Sequence, residues 1–116
     1  MKYKEVKKLK KADFKRYVGV HIETFEKMVQ VVQEQEKHEI KEEKNNELNL
    51  ENKILMTLQY LKEGRSFFHL ALNWEIDEKT VIRTVNKIEN ILVRSGEFRL
   101  PKKKFKVLKK SGKILD

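Results

Sequence analysis

Apolar residues recur along this chain at spacings of three and four and nowhere alternate over a useful length, so helices account for nearly everything that orders. Val6 and Leu9 share one side of a strongly basic segment from about Tyr3 to Lys11. Asp13 is placed to cap a short helix through Val18, with Phe14 and Tyr17 inward and Gly19 supplying a left-handed stop. From His21 to about Glu43, Ile22, Phe25, Val29 and Val32 form the buried stripe of a long helix. That stripe fades after Val32: Ile40 is the one aliphatic residue in 33–47, so the helix end reads as solvated and leads into a polar linker broken at Asn45 and Asn46.

Asn49 is placed to cap the next helix, where Leu50, Ile54, Leu58 and Leu61 make a stripe that Leu55 widens before Gly64 ends it. This helix is predicted to lie deep. Ser66 then caps a short helix with Phe67, Leu70 and Ala71 inward. About three residues, Trp74, Glu75 and Ile76, separate it from a helix that Asp77 is placed to cap and that runs to about Ser95. Turning about 100° per residue, Val81, Val85, Ile88 and Leu92 of this last helix fall within a sector of roughly 60°. The opposite face holds Lys79, Arg83, Asn86 and Asn90, flanked by Ile82 and Lys87.

Two helices joined by a three-residue turn, the second apolar behind and rich in donors in front, meet the geometric demand of a helix-turn-helix. The fold class is therefore all-α, a multi-helix bundle containing a tri-helical, homeodomain-like helix-turn-helix between basic N- and C-terminal segments. Its expected organisation is an N-terminal helical segment with polar linker (1–47), a helix-turn-helix core (48–96) and a basic C-terminal tail or linker (97–116). Glu75 departs from the common pattern, because such turns often place glycine there to reach positive φ.

Charge sharpens this picture. The net charge of +9 is carried by the ends: residues 1–20 hold eight Lys and Arg against two acids, and 101–116 hold seven against one. Such polarity suits a polyanion, since neutralising phosphates releases counterions whatever the base sequence. Solvation of the tails alone accounts for it equally well.

No apolar run exceeds three residues, against the roughly 20 that span a bilayer, and no secretory signal pattern opens the chain, so a cytoplasmic protein with no membrane partner is expected. Cysteine is absent, which excludes a disulfide framework and thiolate metal sites. The histidines at 21, 38 and 69 lack metal-ligand spacing, so neither a metal nor another cofactor is expected.

The candidate site follows from these elements. Lys79, Ile82, Arg83 and Asn86 are assigned to base readout, with Arg83 suited to a bidentate guanine contact and Asn86 to adenine. Arg65, Ser66, His69, Thr80, Lys87, Lys102, Lys103 and Lys104 are assigned to phosphates. The partner so implied is double-stranded DNA, with no small-molecule substrate.

The stretch YLKEGRSFFHLALNWEIDEKTVIRTVNKIENIL (60–92) resembles the N-terminal helix-turn-helix of bacterial insertion-sequence transposases of the DDE superfamily. YVGVHIETFEKMV (17–29), LNLENKILMTLQYL (48–61) and RSGEFRLPKKK (94–104) resemble the same region and its exit. Thr80, Val81 and Arg83 match the recognition-helix core, and Phe68 and His69 the preceding helix. The resemblance implies binding to an element's terminal inverted repeats. It also implies a following ribonuclease-H-like domain whose three carboxylates and divalent metal cut and join strands. The sequence stops at Asp116, where that domain is expected to begin, so this chain reads as a truncated or separated portion without catalytic residues, not an enzyme by itself. Self-association or pairing with full-length transposase belongs to the same reading. Two alternatives stay open: a free-standing helix-turn-helix transcriptional regulator, and a protein-interaction module docking through the helix at 22–43.

Overall fold

Local capping chemistry sets most of the helix ends in the computed structural model, which describes residues 2–36 and 48–98. Its helices are α1 (Tyr3–Val6), α2 (Lys11–Val18), α3 (Ile22–Glu36), α4 (Leu50–Glu63), α5 (Phe67–Trp74) and α6 (Glu78–Ser95), with no strand among the described residues. The Asn49 side chain accepts from the amide of Asn52 to start α4, and Ser66 accepts from the amide of His69 to start α5. Gly64 stops α4 in a left-handed turn whose amide donates to the Tyr60 carbonyl. Gly19 stops α2 at φ 100°, a backbone conformation that calls for glycine; a Cβ there would meet Lys62 Cδ at 2.8 Å, a contact that flexible side chain can relieve.

Asp13 does not cap α2 as expected. The helix begins three residues earlier, with Lys10 at the cap position, and Asp13 instead places its charge in the first turn, where it suits the positive end of the helix dipole.

The core is organised around α4. Every residue from Ile54 to Leu61 is buried, and each of the other five helices packs against it. The expected depth of this helix is thus met. Its buried surface extends past the expected stripe to Met56, Thr57, Gln59 and Tyr60, because a helix covered on all sides needs no solvent face. Thr57 Oγ1 donates to the Lys53 carbonyl at 2.8 Å, and Gln59 Oε1 accepts from Trp74 Nε1 at 3.0 Å. Among the described residues no buried side-chain polar atom lacks a partner.

On α3 the buried set is Phe25, Met28 and Val32, with Ile22 and Val29 at the rim, so Met28 replaces two residues of the expected stripe. Phe25 is the joint of the N-terminal half: Tyr3 stacks on it at 5.3 Å and Phe14 meets its edge at 5.7 Å. The expected continuation of α3 to Glu43, the break at Asn45 and Asn46, and the C-terminal tail lie outside the described residues.

The buried amide–indole bond generates a stability prediction. Gln59→Leu leaves Trp74 Nε1 without its acceptor and is expected to cost about 1–3 kcal/mol in urea denaturation. Adding Trp74→Phe removes the orphaned donor as well, so the double variant should lose less than the sum of the two single losses.

Candidate nucleic-acid interface

Trp74 is the last residue of α5, so the turn to α6 is Glu75, Ile76 and Asp77, one residue later than the sequence spacing indicated. Its indole fixes that boundary, being buried with its N–H on Gln59. Glu75 adopts φ 55° and ψ 48°, the left-handed conformation anticipated for this position. The Ile76 amide then donates back to the Ala71 carbonyl at 3.1 Å, closing the end of α5. Asp77 holds the N-cap position of α6 by its backbone, accepting from the amides of Thr80 and Val81. Its carboxylate caps no amide and instead accepts from Thr80 Oγ1 at 3.4 Å.

Val81, Val85, Ile88 and Leu92 are all fully buried, which fixes how α6 is rotated on the core. Lys79, Arg83, Asn86 and Asn90 are accordingly exposed on the opposite face, while Ile82 sits half-buried at its edge. The residues assigned to bases are thereby brought together on one helix.

The residues assigned to phosphates are less uniform. Arg65 Nε donates to Glu63 Oε1 at 2.6 Å, and Lys87 Nζ lies 3.5 Å from Glu36 Oε2. Ser66 Oγ, besides capping α5, sits 3.0 Å from His69 Nδ1, so these two exposed residues form one polar unit at the start of that helix. Thr80 is half-buried, its hydroxyl turned to Asp77. Lys102, Lys103 and Lys104 lie outside the described residues.

Two residues go beyond the expected site. Arg94 is exposed in the last turn of α6, four residues after Asn90 and on the same face, a relation that helical spacing alone could have found. Glu36 carries no such signal, because its pairing with Lys87 depends on tertiary packing. A second bridge, Lys27 Nζ to Glu97 Oε1 at 3.0 Å, shows that α3 runs antiparallel along α6. On the α4 side, burial and then the nearby Glu89 charge raise the Tyr60 phenol above its ordinary pKa, so it stays neutral while stacked on Phe67 at 4.8 Å. Among the described residues no group of carboxylates and histidines is placed to hold a metal ion, and no helix is long and apolar enough to cross a membrane.

Residues 46–98 match the family model for the helix-turn-helix of DDE superfamily endonuclease. The matched stretch, 53 of the 116 residues, is similar to that helix-turn-helix. The wider chain is 44% identical over 104 residues to a protein of Microchaete diplosiphon described as "Probable transposase for insertion sequence element IS702". The alignment covers 90% of this chain but 38% of that relative, so the chain spans well under half of its length. No solved structure matches the chain significantly. The matched residues hold α4, α5 and α6, with α1–α3 packed onto the same core.

The two faces of α6 should separate cleanly under mutation. Arg83→Ala is expected to move the folding free energy by less than about 0.5 kcal/mol. Ile88→Ala, at a fully buried position, should cost about 2–5 kcal/mol, both read from urea midpoints.

Proposed function

We propose that this chain binds double-stranded DNA by laying α6 in the major groove, and that the duplex it reads is the terminal inverted repeat of an insertion sequence. The observation that carries the reading is the rotation of α6. Four fully buried aliphatic residues hold its back against the core, and Lys79, Arg83, Asn86 and Asn90 face solvent together. A helix about 10–12 Å across fits a major groove about 12 Å wide, where donor-rich side chains meet base edges. Arg83 offers a planar fork to guanine O6 and N7, and Asn86 an amide to adenine N6 and N7. Ser66 and His69 hold register on the backbone.

The family-model match and the transposase relative support DNA-end recognition over a docking role for α3. The reading assigns recognition to this chain and no strand cleavage. Its organisation would then be a reading core at 48–96, supported by 1–47 and followed by a basic linker.

Selection from random duplexes is expected to enrich one motif. Binding to that motif should weaken steeply from 50 to 200 mM salt, with a log–log slope of about −0.9 per phosphate contacted. Arg83→Ala should lower discrimination at one base pair by about 1–3 kcal/mol while leaving random-duplex binding nearly intact. Absence of an enriched motif, or binding insensitive to salt, sinks the proposal.

A further inference from the structure

The N-terminal segment, α1 and α2 with the residues that flank and join them, carries a charge that the fold leaves largely unanswered. Lys2, Lys4, Lys7, Lys8, Lys10, Lys11, Lys15 and Arg16 are all exposed, and among the described residues Lys11 alone pairs with a carboxylate, Glu23 at 3.2 Å. Elsewhere Lys27, Arg65 and Lys87 each find an acid. Glu5 and Asp13 are the acidic residues of this stretch.

This basic unit is held firmly to the body of the protein. Val6 and Phe14 are fully buried, the Tyr3 amide donates to Asn52 Oδ1 at 2.9 Å, and Lys62 Nζ donates to the Arg16 carbonyl at 3.0 Å. Tyr3, Val6 and Leu9 turn toward the core, so Lys4, Lys7 and Lys8, at spacings of three and four, share the outward side. One end of this unit lies close to the turn, with Lys2 Nζ 5.0 Å from the centre of the Trp74 ring at the end of α5. Lys79 lies five positions after Trp74, at most about 18 Å of extended chain, whereas one turn of B-DNA measures about 34 Å. A duplex under the N-terminal half of α6 therefore passes within one helical turn of α1.

We infer that α1 and α2 form a second DNA contact, gripping the phosphate backbone of the same duplex that α6 reads, through Lys4, Lys7 and Lys8 foremost. The inference rests on the DNA-binding reading above. A membrane surface suits this unit poorly, because its apolar side is already spent in the core and nothing remains to insert among lipid chains.

The test compares the full chain with the Lys4→Ala/Lys7→Ala/Lys8→Ala variant and with the same three positions changed to Arg, on the selected duplex and on random DNA. The salt slope of the alanine variant should shrink by about 0.9 for each lysine that meets a phosphate, on both duplexes, with base preference retained. The arginine variant should keep the slope. Hydroxyl-radical footprinting of the unaltered chain provides a check independent of the variants' folding, and should show protected phosphates flanking the groove that α6 occupies. An unchanged slope in a folded alanine variant, or a footprint confined to that groove, overturns the inference and leaves the α6 reading standing. Tighter lysine-dependent retention on anionic vesicles or single-stranded RNA than on duplex also overturns it. If the unaltered chain binds no duplex at all, the α6 reading falls and this one with it.

Discussion

Burying α4 on every side is possible only if the other helices surround it, and the rest of the structure follows from that demand. With residues 54–61 all removed from water, no single neighbour can cover the helix, and α1, α2, α3, α5 and α6 each take part. The back of α6 is one of those covers. Its outward face is therefore set by a core contact and not by anything on the face itself. A side chain presented by a helix locked in this way keeps its geometry without contributing to its own placement, which leaves Lys79, Arg83, Asn86 and Asn90 free to vary.

The corner between α5 and α6 has a different origin. Trp74 closes α5 by burying its ring and bonding Gln59, and the chain must then reverse within Glu75, Ile76 and Asp77. A left-handed residue is the shortest way to do so, and Glu75 accepts it because its side chain is unbranched at Cβ and exposed. The strain of about 1–2 kcal/mol for such a residue is offset by the bonds that close the helix end and by Ile76 packing on the core.

Much of the fold was legible in the sequence because it is decided locally. Asn49, Ser66, Gly19 and Gly64 act within four residues of themselves, and the aliphatic spacing of α6 needs no tertiary knowledge. The failures have one local and one tertiary cause. Asp13 lost the cap because α2 could start earlier on Lys11, and Trp74 was read as turn because burial of its ring depends on Gln59, fifteen residues away. On the site, the solvent-facing set Lys79, Arg83, Asn86 and Asn90 could be read by counting along one helix. The pairing of Lys87 with Glu36 could not, since it depends on how α3 lies against α6.

That alignment of α3 has a directional effect. Glu23, Glu26, Glu34 and Glu36 against the single Lys27 make α3 an anionic rail, whose Glu36 end lies against Lys87 of α6 while Glu23 turns to Lys11. A rod of negative charge laid on α6 is repelled from the railed flank and drawn to the open one, so the two ways of placing it are unequal in energy. The molecule thus has a built-in left and right toward a polyanion.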